Sequence, residues 1–180
     1  MVEKEAQEET FIEGNIPLII NTYVDIFSSF DSRAFNEKAL SDDFLSEVKR
    51  AARDKGDFGL ELVISVPHQK RVISDETKIR KRLKEHFHKH YLEKEKELKK
   101  IKKLGLSWVI LGALINILVA FGFISVTSNI LHTLLGLFEV PSWFLIWEGL
   151  GKIFLESKKI EPDSEFYRKM KDCKVTFKSY

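Results

Sequence analysis

The chain has 180 residues, with 29 Lys+Arg against 27 Asp+Glu and a single cysteine, Cys173. That length holds one small domain plus membrane segments, and one cysteine excludes a disulfide framework or a cysteine zinc site within a chain. The near balance of charge hides its distribution: residues 70–103 carry fourteen Lys/Arg against six Asp/Glu, whereas Leu104 to Phe138 contain no Asp, Glu, Lys or Arg.

Residues 1–13, with five Glu, read as a disordered acidic tail. They contain no apolar run of the kind a cleavable signal peptide needs. NIPLIINTYV (15–24) predicts a strand, with Pro17 near its start where a missing donor is tolerated. SSFDSRAFNEK breaks any periodicity and reads as a loop. SDDFLSEVKRAARDKG predicts a short helix. Ser41 caps it, Asp42 and Asp43 occupy the first turn, Lys49, Arg50 and Arg53 lie near its end, and Gly56 ends it. Phe44, Leu45, Val48, Ala51 and Ala52 form the apolar face. LELVISVP (60–67) predicts a second strand. Strand, helix and strand in this order favour a parallel pair joined by a right-handed crossover.

From Ser74 to Lys103 the pattern predicts a long charged amphipathic helix, with Ser74 as its cap. Ile79, Leu83, Phe87, Tyr91, Leu98 and Ile101 form a narrow stripe. About 30 residues at 1.5 Å each make a rod of roughly 45 Å. Such a stripe suits a coiled coil or packing against the small domain. A solvated single helix is the alternative.

LGLSWVILGALINILVAFGFISV (104–126) predicts a first membrane helix, since about 20 apolar residues cross a bilayer. The second crossing is less sharply bounded, because Glu139 and Pro141 interrupt it. Either 127–138 form a turn and an interfacial segment before a crossing over 140–157, or the crossing starts near Asn129 and kinks at Pro141. Together 104–157 form a transmembrane helical hairpin. Trp108, Trp143 and Trp147 are placed as interface anchors. Lysines precede the first crossing and follow the second, and none lies between, so the positive-inside rule puts both termini in the cytoplasm. DSEFYRKMKD predicts a short helix, and CKVTFKSY (173–180) a strand that joins the first two. The expected fold is an α+β membrane protein of the cell membrane. A small cytoplasmic α/β domain of about three strands (14–73 plus 160–180) leads through the long basic helix into a two-helix transmembrane hairpin.

DIFSSFDSRAFNEKALSDDF, LELVISVP, the basic helix entering the membrane, SWFLIWEGLGKIFLE and FYRKMKDCKVTF follow one another in an order that resembles an uncharacterised bacterial and archaeal family of small two-span membrane proteins. The resemblance runs from about Ile16 to the C terminus. Glu148 follows the tryptophan where that family carries Arg, and Lys152 falls near the family's Glu. The resemblance implies membership and no activity.

Four polar or amphipathic residues stand out within the apolar region. Glu148 and Lys152 are four apart and share a helix face, acid first, the better order for such a pair. Either they form a buried pair facing a partner helix or wet cavity, or they lie at the cytoplasmic interface with Lys152 snorkelling. Asn116, in the middle of the first crossing, needs a hydrogen-bond partner, commonly on another helix. Trp147 adjoins Glu148. Gly105 with Gly112, and Ala113 with Ala120, are spaced by seven and let helices approach closely, inside the hairpin or between copies. In HFHKH, His86 and His90 share a face, but three or four ligands are needed for zinc; surface histidines on a charged helix are expected. The basic runs KIRKRLK and KKIKK suit anionic lipid at the juxtamembrane lysines rather than nucleic acid, for which no fold motif is present.

No phosphate loop, nucleophile elbow or paired catalytic carboxylates occur, so no enzyme, cofactor or metal is expected. The leading expectation is a membrane-anchored interaction or scaffold protein with a protein partner, able to form a homo-oligomer. The alternative is a subunit of an oligomeric ion channel with Glu148 and Lys152 near the pathway. It superficially resembles the mitochondrial calcium uniporter, where two acidic residues three apart follow the tryptophan. Here Gly151 stands at the second position, and Lys152 repels a divalent cation.

Overall fold

The structure, a computed structural model, describes residues 14–53, 55, 59–125 and 127–180. The tail expected over 1–13, the helix end at Gly56 and the last residue of the 104–126 segment lie outside the described residues. Two compact units are formed. Among the described residues these are 14–92 with Glu165–Tyr180, and Glu93–Ser164.

The first unit is mixed α/β. Strands β1 (Asn15–Ile19), β2 (Glu61–Val66) and β3 (Lys174–Ser179) make a sheet of order β1-β2-β3. Both pairings are parallel. Helix α1 (Asp42–Arg53) connects β1 to β2, as the strand–helix–strand order predicts. Ile16, Leu62 and Val175 fall in one row across the sheet, and Leu18, Ile64 and Phe177 in the next. These alternate positions meet the buried face of α1, carried by Phe44, Val48 and Ala52. The two-residue period of the strands and the 3.6-residue period of the helix thus close one core.

The expected first strand is shorter than its composition suggests. It stops at Ile19, and Tyr23–Ile26 form a 3-10 turn. The Asp25 carboxylate accepts the backbone N–H groups of Asn21 at 2.8 Å and Thr22 at 2.9 Å. This local side-chain bonding takes the donors that a longer strand would use.

Helix α2 (Ile73–Ser125) is continuous. Ser74 lies inside its first turn and does not cap it: the N–H groups of Asp75 and Glu76 donate to the Val72 carbonyl. Ile79, Leu83 and Phe87 are completely buried in the α/β core together with Phe166 and Met170 of the last helix, α5 (Ser157–Met170). The first part of the stripe therefore packs against the sheet unit. The helix also guards the sheet edge. Lys174 and Tyr180 direct their N–H groups at Leu60 and Val66, so Val175 and Phe177 point their carbonyls outward. Arg80 donates to the Val175 carbonyl at 3.0 Å and Arg71 to that of Phe177 at 3.4 Å. Edge strands left open invite pairing with other chains. Arg82 donates to the Lys38 carbonyl at 2.9 Å. Two guanidiniums of the KIRKRLK run thus serve the fold itself.

In the second unit, the remainder of α2 runs antiparallel to α3 (Asn129–Gly136) and α4 (Glu139–Gly151), which continue through a π-helical turn, Lys152–Glu156, into α5. Ile73–Ser125 and Asn129–Met170 are each long and apolar enough to cross a membrane. The second segment forms two helices, Asn129–Gly136 and Glu139–Gly151, rather than one. Its interruption falls at Leu137–Phe138, and Pro141 sits within the first turn of α4, where its missing N–H costs least.

Candidate functional site

The antiparallel pairing sets the level of every polar side chain in the helix pair. A Cβ placed on Gly105 would stand 2.7 Å from the Gly149 carbonyl oxygen, and one on Gly112 would stand 2.6 Å from that of Ser142. Gly122 instead faces the side chain of Leu135, whose nearest methyl would lie 2.8 Å from a Cβ there. Two glycines seven apart on α2 thus meet two small residues seven apart on α4, and the backbones touch as only small residues allow. This is the close approach expected inside the hairpin. The Ala113 and Ala120 pair does not form it, since Ala120 is exposed.

Lys152 lies at the level of Gly105, next to the charged end of the apolar run. Its Nζ lies 3.5 Å from Glu148 and 3.2 Å from Glu156, and 5.5 Å from the centre of the Trp108 ring. The expected pair is therefore a triad of one ammonium between two carboxylates, with an aromatic face beneath it. The π-helical turn begins at Lys152, and such turns recur at functional sites. Trp147 is not part of the cluster; 68% of its surface is exposed. Trp108 is the tryptophan at this site, and the four-residue step from Lys152 to Glu156 was the signal for the third charge.

Asn116 departs from expectation. Its Nδ2 donates to the carbonyl of Gly112 on its own helix at 3.2 Å, not across to another helix. The backbone carbonyl one turn back is the nearest acceptor for an amide at this position. Glu139 is the polar residue whose place the sequence reading left open. It lies between the Gly112–Ser142 and Gly122–Leu135 contacts, at the level of Asn116, and is exposed.

The α/β unit holds two further polar clusters. The Glu76 carboxylate is buried, takes a bidentate pair of bonds from Arg71 at 2.8 and 3.0 Å, and accepts the Tyr23 hydroxyl at 2.9 Å. The Tyr23 oxygen in turn accepts the Val72 N–H. Bonding to Arg71 lowers the Glu76 pKa, and burial raises that of Tyr23. The network ties the start of α2 to the 3-10 turn.

His86 is buried, contrary to the surface placement expected for HFHKH. The stripe that buries Leu83 and Phe87 turns this neighbour inward as well. Its Nε2 has no hydrogen-bond partner, and its ring lies 4.2 Å from that of His90, which stacks on Tyr167. Burial first, then the charges of His90, Arg82 and Lys89, push its pKa down to about 4. Among the described residues no group of three or more His, Cys, Asp or Glu is arranged to hold a metal ion. Cys173 is buried, and its thiol is pushed up to about 11, chiefly by burial, far from the reactive thiolate range.

An open cleft of about 580 Å³ lies between the 33–38 loop and α2, where Arg33, Lys38, Lys78 and Lys81 surround Val24 and Phe35. Asp31, Asp75 and Glu85 hold ion pairs with three of these cations.

Comparison with protein-family models, with curated proteins and with solved structures finds no match to this chain.

Proposed function

We propose that the chain is an integral protein of the cell membrane in which the helix pair is the anchor and the α/β unit is a binding module, without catalysis. One observation carries this reading. Around the helix pair Leu118, Phe121, Ile124, Val140, Phe144 and Trp147 are all more than half exposed. Soluble monomers rarely expose apolar patches beyond a few hundred Å², and hydrocarbon is the solvent such a surface fits. The resemblance to two-span membrane proteins supports the same reading.

The lysine-rich end then faces anionic lipid in the cytoplasm, with both termini on that side. The Lys152 triad sits near this interface, with Trp108 as its anchor. The oligomeric channel with Glu148 and Lys152 beside its path is disfavoured by the triad, because an ammonium held between the carboxylates blocks the oxygen ring a cation needs.

The reading predicts that the protein resists alkaline carbonate extraction from membranes. A reporter active only outside the cytoplasm should stay silent when fused after Tyr180. Extraction into the soluble fraction would remove the anchor, and a strongly active reporter would reverse the orientation. Ion flux into liposomes bearing the purified protein would reinstate the channel.

A further inference from the structure

Three places hold polar groups that the anchoring role does not use: the basic cleft, the His86–His90 pair and Glu139. The cleft's cations are largely answered by carboxylates of the same chain, and the histidines lack a third ligand among the described residues. Glu139 carries the argument furthest.

Its depth comes from the helix pairing. The uncharged run on α2 extends from Leu104, and the helix ends at Ser125; the returning helix of the hairpin, α3, starts at Asn129. Glu139 follows Asn129 by ten positions, which at 1.5 Å per residue is about 15 Å along the pair. The hydrocarbon core is about 30 Å thick. The Gly112–Ser142 contact on one side and the Gly122–Leu135 contact on the other fix this level independently of the loop. Glu139 is thus a carboxyl at half depth, while Glu148 and Glu156 lie at the charged end beside Lys152.

Two other polar groups occupy the same level. Pro141 brings no N–H to the carbonyl of Leu137 four residues earlier, and the helix is interrupted there. Asn116 lies on the α2 face that carries Gly112 and Val119 toward the partner helices, and its amide donates only within its own helix. Among the described residues no cation stands near: α2 has no charged residue from Leu104 to Ser125, and the other titratable groups of the elements packed here are His132 on α3 and Glu148 on α4.

We propose that Glu139 is a proton-binding carboxyl at the mid-plane of the bilayer, set at a helix interruption where the Leu137 carbonyl and the Asn116 amide supply neutral polar surroundings. An ionised carboxylate without a cation is the costly form in an apolar medium, and the neutral acid is the form that such a medium accepts. Ionisable groups inside membrane segments mark ion and proton sites. The hairpin therefore has a protonated and a deprotonated state that differ by one charge at its centre. This rests on the anchoring reading above.

The test uses the full chain in neutral-lipid vesicles and two carbodiimides, one soluble in hydrocarbon and one in water. A carboxylic acid adds across one C=N bond of the reagent, its proton passing to nitrogen, and the adduct rearranges to an acylurea that keeps the whole reagent mass. Peptide mass mapping then locates it. The hydrocarbon-soluble reagent should label Glu139. Glu139→Gln should abolish the label and Glu148→Gln should retain it. The water-soluble reagent should modify Glu148 and Glu156 and spare Glu139. Equal modification of Glu139 by both reagents, or none at any pH, overturns the proposal while leaving the anchor intact. Vesicle flotation separates the two readings: protein that fails to float with lipid defeats the anchor and the mid-plane site together.

Discussion

Gly105 and Gly149 meet backbone to backbone. A Cβ on Gly149 would stand 2.5 Å from the Gly105 carbonyl oxygen and 2.8 Å from a methyl of Val109. The atoms it would strike are backbone, so the helices themselves must separate. Gly149→Leu should therefore lower the melting temperature of the purified protein in nanodiscs and raise its protease sensitivity. Gly151→Ala is the matched control two residues on, where a Cβ meets nothing within 4 Å. It should be neutral or stabilise by up to about 1 kcal/mol through helix propensity. Equal loss in both variants would show that the close approach contributes nothing.

The triad makes an uneven prediction for its members. Glu148→Gln leaves Lys152 with Glu156, so melting should change little. Lys152→Met leaves two carboxylates eight positions apart along the helix without their shared cation, and should be the more harmful single change. Glu148 and Glu156 keep 42% and 46% of their side-chain surface, which limits all these effects, and added salt should shrink them further. A large loss from Glu148→Gln alone would instead indicate an isolated buried pair. Glu148→Lys combined with Lys152→Glu preserves one charge pair but sets the new carboxylate beside Glu156, so it should be less tolerated than a simple two-residue swap implies.

In the α/β unit, Glu76→Gln strands the Arg71 guanidinium and should cost about 3 kcal/mol, whereas Tyr23→Phe should cost about 1 kcal/mol. Glu76 has a folded pKa below its unfolded value. Its contribution is therefore complete above the ordinary carboxylate pKa and is lost as pH falls through the depressed value. Denaturant titrations across the acid range read this directly, and Glu76→Gln should flatten the response.

His86 acts at higher pH. Its pKa falls from 6.5 to about 4 on folding, so between these values the unfolded chain binds more protons. Stability should decline as pH drops from 6.5 toward 4, by about 3 kcal/mol in all. His86→Leu also removes the unpartnered Nε2. It should raise stability and abolish the decline in this window, and an unchanged pH profile would refute the assignment.

Loss of the final strand tests the closure of the sheet. Val175 and Phe177 are almost fully buried against β2 and the helices. Phe177→Ala should cost about 3–5 kcal/mol, and deleting 173–180 should leave the rest of the α/β unit open to proteolysis. Undiminished resistance after the deletion would make β3 dispensable.

The parallel pairing of the first two strands was legible in the sequence, because strand, helix and strand separated by short loops leave few other connections. The addition of β3 was legible from the alternation of Val175 and Phe177, and the two long apolar helices from their composition. Periodicity reports which face of an element is apolar. It does not report what meets that face or at what height. The end of β1 at Ile19 depended on Asp25 capturing two backbone donors, and the inward turn of His86 depended on how far α2 rolls against the sheet. The Lys152 triad was only partly legible, since spacing shows Glu148 and Glu156 but not the Trp108 ring on another helix. The level of Glu139 was hidden for the same reason. It is set by Gly105 against Gly149 and Gly112 against Ser142, residues far apart in the chain whose lack of side chain lets the two backbones lock in one register.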